Sequence, residues 1–117
     1  MGTRGVFGVH VNGVSKLMYN HSDSYPSWLG TKVLNDVKVL INENGIDWVK
    51  DRAAALRCVS GNSSPSKEDK DVLATYSDIA VGNQSEDDWY CLTRKLQGDL
   101  VNVLQVGLML CSELPLP

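Results

Sequence analysis

Arg4-Gly5-Val6-Phe7-Gly8-Val9-His10-Val11-Asn12-Gly13-Val14-Ser15-Lys16-Leu17-Met18-Tyr19-Asn20 is the stretch whose reading decides the fold. Two β-prone runs flank Asn12-Gly13, the pair that best tolerates the two positive φ angles of a type I′ turn, so the segment reads as a β-hairpin. A two-residue turn sets the register: Val11 faces Val14, Val9 faces Lys16, Phe7 faces Met18 and Val6 faces Tyr19. One face then carries Phe7, Val9, Val11, Val14 and Met18, and the other carries Val6, Leu17 and Tyr19 around Gly8. A lone two-stranded ribbon is marginal in water, so this one needs helices or further strands to cover it.

Downstream the period changes from two to 3.6. Val33, Val37, Leu40 and Ile41 share one helical face and Asn44-Gly45 supplies a stop, which predicts a helix from Thr31 to Glu43. Ile46, Val49, Ala53 and Leu56 repeat the spacing and predict a second helix ending near Cys58. Ser60 to Ser66 is a polar loop, after which Ser66 is placed to cap a short charged helix reaching Tyr76. Asp78 to Val81 reads as a short strand or extended chain. A last long helix is expected from Ser85 to Val106, with Gly98 as a weak point where it bends or where Asp99 caps a new segment. The Pro-containing tail from Ser112 to Pro117 is expected to be extended. The sum is one α+β domain over residues 1–117, a hairpin packed against three to four helices.

Composition narrows the function classes. An apolar content of 43% in 117 residues supports one folded core. A net charge of −3 with acids and bases interspersed lacks the basic stripe that nucleic-acid binding needs. No run approaches a bilayer span and no apolar segment follows Arg4, so a cytoplasmic protein without a membrane anchor is expected. Cys58, Cys91 and Cys111 are odd in number and widely spaced, and read as reduced core thiols.

Met1-Gly2-Thr3-Arg4-Gly5, Tyr19-Asn20-His21-Ser22-Asp23-Ser24-Tyr25-Pro26 with Leu29-Gly30, Asp88-Trp89-Tyr90-Cys91-Leu92 and Leu96-Gln97-Gly98-Asp99-Leu100 together resemble a family of small phage and bacterial proteins. The resemblance runs from Met1 to about Met109 and implies phage or mobile-element ancestry, with no activity attached. Family members continue past Gly107-Leu108-Met109 into further strand-like sequence, whereas this chain stops at Leu114-Pro115-Leu116-Pro117, so a shortened sheet with an open edge is expected.

The polar-aromatic exit of the hairpin is the densest candidate site. His21, Asp23 and Tyr25 alternate, and an extended backbone would set all three on one face, where a carboxylate could orient a histidine base. The competing account is structural, since Asn, Ser and Asp at a strand exit tie down loop backbone. Arg4, opposite His21 in the extended register, could hold an anion or form an exposed ladder pair. Trp28, Trp48 and Trp89 each sit within apolar periodicity and read first as core or helix-interface anchors, with Trp28, in the loop beside Tyr25, the best exception and the one best placed to meet a ligand. His10 and His21 lie about 20 Å apart at strand spacing and cannot share a metal, so no metal and no cofactor are expected. The layout resembles an N-terminal-nucleophile hydrolase, but loss of Met1 would expose Gly2, which has no nucleophile.

Two functions follow as expectations. The first is a non-enzymatic, phage-type binder that inhibits a host defence system, a CRISPR effector included, or a host enzyme, with Arg4, Tyr19, Asn20, His21, Asp23, Tyr25 and Trp28 as contact residues and a homodimer through the hairpin edge as a further partner mode. The second is a small hydrolase or anionic-ligand-binding enzyme using His21, Asp23 and Tyr25.

Overall fold

The computed structural model describes residues 4–21 and 24–111. Strands β1 (Gly5–Val11) and β2 (Val14–Asn20) form the hairpin in the expected register, from Gly5 opposite Asn20 to Val11 opposite Val14. Asn12 and Gly13 adopt φ of 52° and 78°, the two positive values that a type I′ turn requires. At Gly8 a Cβ would lie 1.9 Å from the Lys16 carbonyl oxygen, so only glycine lets the two strands approach this closely.

Helix α1 (Thr31–Asn44) follows a single π-type turn at Pro26–Gly30, and Gly45 at φ 87° separates it from α2 (Ile46–Ala55). The Phe7 face of the hairpin packs on these helices: Phe7, Met18, Leu40 and Ala53 belong to one buried cluster, with Val9, Val33 and Val37 against it. Lys16 lies on that face, and its Nζ donates to the carbonyls of Ala53, Ala54 and Leu56 at 2.9–3.0 Å. Ala53 and Ala54 lie in the last turn of α2 and Leu56 is its C-cap residue, and a cation complements that end of the dipole. Lys16→Met should lower stability by about 1–2 kcal/mol in urea titration, because the methionine keeps the stem's packing and loses the bonds.

The second predicted helix is shorter than its periodicity suggested. It ends at Ala55, Leu56 turns extended, and Arg57–Val59 is strand β3. Its partner is β4 (Leu108–Leu110), running parallel with Cys58 opposite Met109. This pairing corrects the reading of the cysteines. Cys58 and Cys111 are joined as a disulfide with Cα atoms 5.4 Å apart, and only Cys91 is a free, buried thiol. Cys111 also bridges Met18, so β4 connects the hairpin to the helical body.

The segment from Ser85 to Val106 is not one helix. Asp88 caps α4 (Trp89–Leu92), a single 3-10 turn covers Arg94–Leu96, and Gly98 takes φ 73°. Asp99 then caps α5 (Leu100–Val106) through its bond from the Asn102 N–H. The glycine break proved decisive because a non-helical φ at Gly98 costs a glycine little, while the break lets Leu96, Leu100, Val103 and Leu104 all reach the core. Arg52 completes α5 by donating to the Leu104 and Gln105 carbonyls, and Gly107 in the left-handed region turns the chain into β4.

Between the two halves, α3 (Lys67–Val72) begins with the predicted Ser66 cap, reciprocated by Asp69 in a capping box, and a 3-10 turn at Ala74–Tyr76 follows it. Asp78–Val81 forms turns rather than a strand, held by the Asp78 N–H to the Cys91 carbonyl and by Asp78 Oδ1 to the Ala80 N–H. Burial pushes the Asp69 carboxyl up, but the Arg57 guanidinium at 3.0 Å and the Ser66 hydroxyl and N–H outweigh it and hold Asp69 below its ordinary value. The carboxylate therefore contributes stability at pH above its unfolded value, and that contribution is lost as the pH falls through the lower folded one. Arg57→Gln should move the Asp69 titration, followed by NMR, upward toward the ordinary carboxylate range.

Candidate binding site

The strand exit is organised from both ends of the chain. Asn20 is buried at the end of β2 and its Nδ2 donates to Ser24 Oγ at 2.9 Å. Gly5 and Gly98 let this loop settle: a Cβ on Gly5 would lie 2.7 Å from Ser24 Cβ, and one on Gly98 would lie 3.3 Å from Asn20 Oδ1. The Tyr25 carbonyl accepts from the Trp28 and Leu29 N–H groups, both at 2.9 Å, closing the turn that starts the helical body. Asn20, Ser24 and the Tyr25 backbone thus carry the loop-tying role that polar residues have at strand exits.

Tyr19 and His21 meet directly, with Tyr19 Oη 2.8 Å from His21 Nδ1 and the rings edge-to-face. The His21 N–H donates to Gln97 Oε1 at 2.9 Å, and Arg94 Nη1 reaches the same oxygen at 3.3 Å. Gln97 and Tyr90, whose ring centroid is 6.5 Å from that of Tyr19, are the site neighbours that sequence reasoning missed. They lie more than seventy positions away, and no local pattern could have announced them. A cavity of about 180 Å³ opens here between Met18, Tyr19, Tyr90, Gln97, Leu110 and Cys111.

Arg4 is exposed, one residue before β1. Asp23 lies outside the described residues, so the His21, Asp23 and Tyr25 constellation is represented by its two ends alone. His10 bonds Ser15 at the far end of the hairpin, well away from His21. Among the described residues no three histidine, cysteine or carboxylate side chains gather as a metal would require.

The larger feature lies beside the turn. Tyr25 is 51% exposed and Trp28 64%, while their neighbour Leu29 is buried. The turn that carries them also supplies Pro26 and Leu29 to a groove of about 430 Å³, which Val33 and, from the hairpin, Val6, Gly8 and Leu17 line as well. Val6, Gly8 and His10 belong to the non-hydrogen-bonded pairs of the ladder, so their backbone groups point away from β2. No backbone partner from another element meets them among the described residues. Trp28 is exposed rather than the core anchor that its apolar periodicity suggested, while Trp89 is core and Trp48 packs partly buried under Arg52.

No family model matches the chain, and no curated protein or solved structure matches it. The resemblance to the small phage and bacterial proteins rests on the motifs alone. Among the described residues no helix is long and apolar enough to cross a membrane.

Proposed function

We propose that this chain is a non-enzymatic binding module that acts by protein–protein contact through the groove and its two exposed aromatics. The observation that carries the reading is Trp28, a large apolar side chain left 64% exposed on the turn that supplies Pro26 and Leu29 to the groove, near a β1 edge that is unpaired among the described residues. Aromatic anchors of this kind dominate binding energies at interfaces, and an open edge offers main-chain hydrogen bonds to an extended partner. With the phage-type resemblance, the partner is a host protein in the cytoplasm, a component of a defence system or a host enzyme, which the module inhibits by occupying its surface. A second copy is the other partner the edge would accept, since Gly5–Val11 contains no Lys, Asp, Glu or Pro to discourage pairing.

Capture of host proteins on immobilised chain tests this. A specific partner should bind wild type and His21→Ala alike and should lose about thirtyfold in affinity with Trp28→Ala, the effect of one interface hot spot. The enzyme reading is favoured by one observation, the Tyr19–His21 bond at the mouth of the smaller cavity. It would win if a hydrolytic turnover were found that His21→Ala abolishes and Trp28→Ala spares.

A further inference from the structure

We propose that Cys58–Cys111 is a thiol–disulfide exchange site that latches β4 in place, with a dithiol reductant as its co-reactant. Three observations carry this. The two cysteines differ in exposure: Cys58 is an exposed residue, whereas Cys111 is half-buried and lines the cavity beside Met18 and Tyr19. The link joins two strands of three residues each in a parallel pair, a ladder too short to hold alone. The third thiol is out of play: Cys91 is buried and its Sγ bonds the Val81 carbonyl and the Asp88 carboxylate.

The exchange follows from that asymmetry. A thiolate of the reductant attacks Cys58 Sγ, the Cys58–Cys111 bond breaks, and Cys111 leaves as a thiolate that takes up a proton. The mixed disulfide on Cys58 is then resolved by the reductant's own second thiol, since Cys91 is buried and bonded to Val81 and Asp88. The products are two cysteine thiols and one oxidised reductant. Released, β4 keeps three ladder pairs and loses the tie at Cys111, which also bridges Met18. The wall of the cavity formed by Leu110 and Cys111 is then free to open. A compartment rich in reduced thiols would therefore hold the protein in the unlatched form and an oxidising one in the latched form. This inference does not depend on the identity of any protein partner.

The test uses the whole folded chain. Native protein treated with dithiothreitol should yield two alkylatable thiols per molecule, Cys58 and Cys111, with Cys91 protected. Backbone hydrogen exchange at Leu108–Cys111 should then rise by about tenfold or more and outpace that at Leu40 in α1 and Val103 in α5, whose exchange follows the global stability that the lost cross-link lowers. Glutathione, a monothiol, should stall as an adduct on Cys58. An adduct on Cys111, resistance of the native protein to dithiothreitol, or exchange at Leu108–Cys111 no faster than at Leu40 and Val103 would each overturn the proposal, the last because the link would then be only a staple of the whole fold. Cys111→Ser should reproduce the reduced exchange pattern, and if that variant does not fold, the reduced wild-type protein still gives the answer.

Discussion

Trp89→Ala should lower the stability of the fold by about 3–5 kcal/mol, the range seen when a fully buried large aromatic is truncated. Trp89 is 1% exposed and packs in one cluster with Leu92, Leu96 and Leu104. It also does two things that an aliphatic side chain could not. Its Nε1 donates to Ser63 Oγ at 2.9 Å, tying the Ser60–Ser66 loop down, and its ring lies 6.0 Å from the Arg57 guanidinium, which pairs with Asp69. Trp89→Phe keeps most of the burial and loses the bond to Ser63, so it should cost about 1–2 kcal/mol. Urea titration of both variants checks the pair. Equal losses would mean that the indole N–H, rather than the buried ring, holds this part of the core.

Replacing both linked cysteines, Cys58→Ala with Cys111→Ala, should cost about 4 kcal/mol, because the link closes a sequence separation of 53 residues and cross-links of that span restrict the unfolded chain strongly. Against a total stability of about 5–15 kcal/mol, the variant should fold with a much lower urea midpoint. Its dependence on urea should steepen, since an unlinked chain exposes more surface on unfolding. A loss below about 1 kcal/mol would show that β4 is already released in the native ensemble and that the link does not constrain the unfolded chain as this model requires.

The hairpin was legible because its information is local. Asn12-Gly13 specifies the turn, the turn specifies the register, and every predicted pair from Val6–Tyr19 to Val11–Val14 is present. The stop at Gly45, the Ser66 cap and the Asp99 cap were legible for the same reason, each being a bond between a side chain or a glycine and backbone within a few residues. Periodicity misled where two structures share a pattern. The apolar stripe from Trp89 to Val103 suits a continuous helix as well as two short ones, and the break at Gly98 is settled by packing around Asn20 and Leu29, which no window of sequence contains. At Ala55 the helix stops because Leu56 enters the core and the next residues find a strand partner fifty positions away.

The site divides along the same line. The loop-tying role of the polar residues at the strand exit was readable from its crowding with Asn, Ser and Asp, whereas the exposure of Trp28 ran against its apolar periodicity. Gln97 under the His21 N–H, Tyr90 beside Tyr19 and the Cys58–Cys111 link were not readable. By itself the sequence determined the hairpin, its register and the start and stop signals of three helices, since those energies are set by neighbours in the chain. The tertiary structure alone decided that β3 meets β4, that Cys58 and Cys111 are bonded rather than reduced core thiols, and that Gln97 supports the strand exit. Each of those contacts joins residues more than fifty positions apart, and which of many such closures forms depends on how the whole core packs.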